Sequence, residues 1–411
     1  MSPRCDGEHV SRYGVDHIRR YGGAMAVSPD LGATPLAERR PAPDLARGGM
    51  LLLIALANVH VYLYGAPIGP RGYPAELSPA DRVVVLVQLM FVDGRAYPLF
   101  GLLFGYGVTQ LARRRFAAGA PAARVVHIVR RRGAWLILIG AGHAALLWSG
   151  DIVGAYGLLA LLLAGPLVRA SDRALKVLAG AAIAVMSLVY AGSGVPVPGD
   201  AFLASMTEPD PFTAALIRLA EWGTSSTPLQ AASLLGPVAI GVVAARTGVL
   251  DDPQRHRALL VRAAVLGIAG AALLGLPLAL MGAQLWHPDL GVVLLAGIAH
   301  GFGGYLGGIG YAAAFGLLAI RVTATGGGAV SGALLACGRR SLSCYLAQSV
   351  AFAFLPAWTF GVGSRIGLWQ AALIGFSAWL VILVIADVSE RRGTRGPAEV
   401  LLRRLTYGPH R

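Results

Sequence analysis

The sequence predicts an all-α fold: a polytopic transmembrane helical bundle of about ten spans, with both termini cytoplasmic. Three observations predict it. Of 411 residues, 55% are hydrophobic and only 14% charged, roughly half the charged fraction of a soluble domain. The apolar residues fall in runs of about 20, the length a helix needs to cross a bilayer. The charges fall between those runs, and the basic ones recur on alternate sides, as loops facing the cytoplasm require.

The spans are read in order at 48–64, 95–111, 133–149, 152–168, 175–191, 229–245, 263–281, 291–320, 341–360 and 368–388. The apolar run 83–92 is too short to cross alone. It is read as an outer half-helix of the second span, with a kink near Pro98. Residues 1–43 are expected to be a flexible cytoplasmic segment, 44–388 the bundle, and 389–411 a basic cytoplasmic tail. Residues 1–45 show no apolar core behind a basic stretch, so no signal peptide is expected, and Met25 is a plausible alternative start.

Charge fixes the orientation. Lys and Arg number 35 against 21 acids, a net charge of +14, and Lys176 is the only lysine. One set of alternate loops collects Arg39, Arg40 and Arg47; Arg113, Arg114, Arg115, Arg124 and Arg130 to Arg132; Arg169 and Arg173; Arg246 and Arg255; Arg339 and Arg340; and Arg391 to Arg404. The opposite set holds the loop of about 193–227, where Asp200, Glu208, Asp210 and Glu221 outweigh Arg218. A net charge distributed in this way marks a membrane protein, and nucleic-acid binding is excluded. Cys5, Cys337 and Cys344 have neither metal-ligand nor redox spacing, so no metal site is expected.

Polar residues inside apolar spans are costly and therefore informative. In the first span Asn58 and His60 lie roughly 16–20 Å beyond Arg47 along the helix axis. Either they join helices by hydrogen bonds or they form part of a site. Asp44, just before that span, is an N-cap candidate, and Arg47 is suited to an anionic ligand such as a phosphate. Asp93 and Arg95 are read as pairing with each other or with a substrate. Gly101 and Gly105 are read as packing residues. His143 and Asp151 would form a base pair if brought together, but along one helix they would lie about 12 Å apart. Asp151 is therefore also read as an N-cap of the fourth span. Ser341, Tyr345, Gln348 and Ser349 form a polar stripe on one helix face.

Taken together, Asp44-Leu45-Ala46-Arg47-Gly48 with Asn58, Asp93-Gly94-Arg95 with Leu99-Phe100-Gly101, Gly142-His143 with Trp148-Ser149-Gly150-Asp151 and Tyr156, Gly338-Arg339 with Tyr345-Leu346-Ala347-Gln348, and Arg395-Gly396-Pro397 with Glu399 resemble the bacterial "domain of unknown function 418" membrane proteins over 44–407. The amino-terminal arginine motif also resembles the wider transmembrane acyltransferase superfamily, which includes type 3 and heparan-glucosaminide acyltransferases. Those proteins have His or Asn eleven residues after the arginine. This chain has Asn58 there, with His60 two residues on.

The resemblance implies transfer of an acyl group from cytoplasmic acyl-CoA, as donor substrate, to a small-molecule, lipid or glycan acceptor at a bacterial inner membrane. Acyl transfer needs a base and donors to a developing oxyanion. His60, Asn58, His143 and Asp151 are the catalytic candidates. Arg47 and Arg339 are candidates for the CoA phosphates, and Asp93, Arg95, Tyr156, Tyr345 and Gln348 for the substrate. The expected partners are membrane lipids and the acceptor. The alternative is a transporter of a small metabolite, which would need broken helices and a central site.

Overall fold

The computed structural model describes residues 40–196 and 203–408. Cys5, Met25, Arg39 and Asp200, with most of the expected amino-terminal segment, lie outside the described residues. Among those described the elements are helical: α1 Pro41–Val59, α2 Pro79–Phe91, α3 Ala96–Ala117, α4 Ala122–Leu146, α5 Val153–Arg169, α6 Asp172–Val189, α7 Pro211–Glu221, α8 Thr227–Thr247, α9 Arg257–Gly282, α10 Leu290–Thr325, α11 Ala329–Arg339, α12 Ser341–Phe352, α13 Leu368–Arg391 and α14 Pro397–Tyr407. Short 3-10 and π turns and the four-residue helix Ala204–Thr207 join them.

Seven helical stretches are long and apolar enough to cross a membrane: Pro41–Tyr62, Pro79–Ala117, Asp172–Gly194, Pro211–Thr247, Arg257–Gly282, Leu290–Thr325 and Leu368–Arg391. The shorter Val153–Arg169 is also apolar, and α4 carries Arg124, Arg130, Arg131 and Arg132 in its first half. Many large apolar side chains, such as Leu146, Leu266 and Leu273, point outward, as a lipid-facing bundle surface requires.

Starts and stops follow local chemistry. Ser78 caps α2 in a reciprocal box with Asp81, Ser171 caps α6, and Asp289 caps α10 by accepting from Val292 N at 3.1 Å. Each satisfies a backbone N–H that the first helical turn leaves unpaired. Gly101 and Gly105 do pack tightly, against Leu234, Pro237 and Val238 of α8.

Two features differ from the expectation. The break in the second span is at Val92–Arg95, where Gly94 takes φ +76°. Pro98 stands in the first turn of α3, where its missing N–H would have no intrahelical partner in any case. The ninth expected span, 341–360, is helical as α12 only over Ser341–Phe352, and a separate helix, α11, precedes it. α11 and α12 meet at Arg340 (φ −115°, ψ 25°), and α12 stops at Phe352. The basic segment after α13 folds as α14 and packs against α4 and α12.

Candidate functional site

A cavity of about 2730 Å³ opens where the arginine-bearing ends of the helices converge. Its lining comes from α1 (Arg47, Leu51, Ile54), α3 (Phe104, Arg113), α4 (Arg132, Leu136), the start of α5 (Ile152, Tyr156), the α11–α12 junction (Arg339, Arg340, Tyr345) and α14 (Arg403, Tyr407). Thirteen arginines line it against six acids. A concave low-dielectric wall with such an excess focuses a field that attracts anions, and guanidinium forks suit phosphate.

The acids at this mouth hold its arginines in place. Arg47 donates to Asp44 Oδ1 at 2.9 Å, and Arg339 Nε lies 4.0 Å from Asp44 Oδ2. Glu390 takes Arg339 on one oxygen and Arg340 on the other, both at 2.5 Å, and Arg340 also donates to Thr394 O. Glu399 of α14 accepts from Leu342 N (2.8 Å), Ser343 N (3.2 Å) and Ser343 Oγ (2.5 Å). It thereby caps α12 from outside and fastens α14 across the mouth.

At the inner end the walls become apolar and aromatic. Ile152 N donates to the Tyr345 hydroxyl at 3.4 Å, and the His143 ring lies 5.3 Å from the Tyr345 ring, although neither His143 nor Asp151 lines the cavity. His143 Nδ1 is 2.9 Å from Asp151 Oδ1, with side chains 1% and 0% exposed. This corrects the 12 Å separation expected along one helix. α4 ends at Leu146, and the turn through Gly150 carries the chain back so that Asp151 meets a residue eight positions earlier. Asp151 Oδ2 accepts from Gly154 N at 2.7 Å and from Trp222 Nε1 at 3.4 Å. One carboxylate thus serves the start of α5 and the histidine together. With the carboxylate accepting, Nδ1 carries the proton, and His143 Nε2 is buried with no partner among the described residues.

The other expected residues divide between two places. Tyr156 and Arg339 line the cavity with Arg47 and Tyr345. Gln348 is used structurally, donating to Leu51 O at 2.9 Å. Asn58 and His60 do not line the cavity. His60 stands in the 3-10 turn after α1, stacked on Tyr73 with ring centroids 4.2 Å apart. Asp93 pairs with Arg71 at 2.8 Å and lies 3.6 Å from His300 Nε2. Arg95, fully buried, donates to Asp93 O, to Ala271 O at 2.9 Å and to the His300 ring. Asp93 and Arg95 therefore meet through a backbone carbonyl rather than as an ion pair. Sequence reasoning missed Arg71, Arg218, Trp222, Glu390 and Glu399 as members of these networks. For Trp222 a local signal exists: it opens a π turn, Trp222–Ser226, between α7 and α8, and such bulges often mark functional sites. Among the described residues no three His, Cys, Asp or Glu side chains come together as a metal group.

The family model described as "Protein of unknown function (DUF418)" matches residues 244–409. The uncharacterized protein YxaH of Bacillus subtilis (strain 168) is 30% identical over 131 residues, 31% of this chain and 32% of the relative. The uncharacterized protein YeiB of Escherichia coli (strain K12) is 32% identical over 129 residues, 30% of each chain. The match thus spans about a third of each relative's length.

Proposed function

We propose that this chain, whose residues 244–409 match the family model described as "Protein of unknown function (DUF418)", is a bacterial inner-membrane acyltransferase. It binds acyl-CoA at the arginine mouth, on the cytoplasmic side with both termini, and passes the acyl group to a hydroxyl or amine that enters from the opposite face. One observation supports this reading: Tyr345, which lines the arginine-rich cavity, has its ring 5.3 Å from that of His143, whose pair with Asp151 is buried outside the cavity lining and whose Nε2 has no partner among the described residues.

His143, oriented by Asp151, is the general base in this reading. Nε2 takes the acceptor's proton, the acceptor oxygen or nitrogen bonds to the thioester carbonyl carbon, and the C–S bond breaks. The thiolate then recovers the proton from the imidazolium. The Tyr345 hydroxyl, which accepts from Ile152 N, keeps its own proton for the developing oxyanion. His60 is assigned no role in this chemistry, because it stacks on Tyr73 beyond the end of α1, whereas the His143 ring packs beside the cavity-lining Tyr345.

The test is the thermal stability of detergent-purified protein with CoA and acetyl-CoA, since a specific ligand raises the melting temperature by mass action. A rise that Arg47→Ala or Arg132→Ala abolishes supports the reading, and none at millimolar CoA overturns it.

A second reading, transport of a metabolite, is favoured by the helix break at Val92–Arg95 beside buried Asp93 and Arg95. Broken helices with intramembrane charge are typical of transporter sites. Release of free CoA thiol by the purified protein separates the two readings.

A further inference from the structure

The acyl-transfer reading leaves the acceptor's chemistry open, and the side of His143 away from the arginine mouth bears on it. About 16 Å of α4 separates Arg132 at the mouth from His143. Just past His143, at the far end of α4, Arg218 of α7 is 2% exposed. Its Nε and NH2 donate to the carbonyls of Ala144 and Ala145 at 2.6–3.2 Å, and its guanidinium lies over the Trp358 ring at 4.5 Å. NH1 has no partner among the described residues.

Carbonyl dipoles and an aromatic face do not neutralise a full charge, and a buried charge without a counter-ion is unfavourable. The neighbouring carboxylate, Glu221, is taken up by Ser205 N at 3.1 Å and Ser205 Oγ at 2.7 Å. Capping of α4 accounts for Nε and NH2 and leaves NH1 over. The surroundings are equally short of acceptors. The Tyr62 hydroxyl is fully buried and without a partner among the described residues. Trp148, whose ring lies 6.0 Å from that of Tyr62, also buries an Nε1–H without a partner among the described residues. Trp148 N in turn donates to His143 O at 3.1 Å. Buried donors near a cation whose NH1 has no partner among the described residues, at the end of the helix that carries His143, match a ligand that is anionic and rich in acceptor atoms.

We propose that Arg218, Tyr62 and Trp148 form the acceptor subsite. They hold a phosphate or carboxylate of the acceptor so that its hydroxyl or amine reaches His143 Nε2. The proposal rests on the acyl-transfer reading for its meaning as an acceptor site.

The experiment measures the melting temperature of the purified full chain against glycerol 3-phosphate, with glycerol as the neutral control. A second arm uses nanodiscs of phosphatidylcholine with and without phosphatidylglycerol, which offers the same group as a lipid headgroup. A saturable rise with glycerol 3-phosphate, absent with glycerol and kept in Arg132→Ala, supports the subsite and a soluble source. The apparent Kd should rise about tenfold or more in Arg218→Gln, since a charge-assisted bond is lost. Because Arg218 also caps α4, Arg218→Lys and Tyr62→Phe serve as milder variants. The lysine should keep part of the rise, and the phenylalanine should weaken binding severalfold. Stabilisation by phosphatidylglycerol alone, dependent on Arg218, assigns the anion to a lipid headgroup. Equal rises with glycerol, a rise that survives Arg218→Gln, or no effect of either anion overturns the proposal. An Arg218-dependent rise without any CoA effect leaves an anion site but overturns its role as an acceptor subsite. A CoA effect without an anion effect overturns the subsite and spares the donor reading.

Discussion

His143 and Asp151 meet at 2.9 Å, with their side chains 1% and 0% exposed. The imidazole keeps its second nitrogen buried and without a partner among the described residues. A carboxylate that fixes the tautomer from one side and leaves Nε2 free on the other is the arrangement general-base chemistry needs.

The first prediction concerns that pair. His143→Gln should lower acyl transfer about 10²–10⁴-fold, the usual contribution of a positioned base. Asp151→Asn should lower it too by loosening the tautomer, while CoA binding is kept in both variants. His60→Ala, outside the cavity, should leave turnover within a few-fold of wild type. Release of CoA thiol measures all three, and full turnover by His143→Gln would remove the base from this site.

Two nearby glycines on α4 make a matched control. A Cβ at Gly140 would lie 2.6 Å from Gly154 N and collide with Asp151 Oδ2, whereas nothing lies within 4 Å of one at Gly142. Gly140→Ala should therefore destabilise by about 1–3 kcal/mol, as overpacking does, and should reduce activity by moving the carboxylate. Gly142→Ala should be neutral or slightly stabilising, because alanine favours helix. Thermal melts of the two variants side by side test this, and equal losses would contradict the packing.

Glu399 ties α14 to the start of α12 through three accepted hydrogen bonds. Glu399→Ala should cost about 0.5–2 kcal/mol, the range for a lost cap. It should also expose the segment after Arg391 to protease. Unchanged cleavage of intact protein at that segment would show that α14 is held by other contacts.

Asp93 faces Arg71, Arg95 and His300 within a few ångström. Arg71 is held at φ +61°, a conformation L residues rarely adopt. Asp93→Asn should destabilise by about 3–5 kcal/mol, because the partner charge is left buried and unpaired. Adding Arg71→Met should recover part of that loss. A double variant as unstable as the sum of the two single ones would refute the coupling.

The candidate site was legible in the sequence only where local chemistry carries it. The arginines between apolar runs mark one set of loops in the sequence, and Arg47, Arg339, Tyr156 and Tyr345 line the arginine-rich cavity. His60 was drawn in by its nearness to Arg47 in sequence, yet it stacks on Tyr73 beyond the end of α1. Helical rise places His143 about 12 Å from Asp151, whereas α4 stops at Leu146 and the turn through Gly150 brings the two side chains to 2.9 Å. Arg71 with Asp93, Arg218 with Ala145, and Glu399 with Ser343 join residues 22, 73 and 56 positions apart, and no periodicity reports such pairs.

By itself the sequence determined an apolar helical bundle with its cations gathered at one set of ends. Hydropathy and charge act on each segment separately and need no partner to be read. Only the tertiary structure decided which buried polar groups meet and which of them, such as His143 Nε2 and Arg218 NH1, are without partners among the described residues. In an apolar interior a polar group's energy depends on what packs against it, and that is set by helix breaks and turns that bring distant residues together.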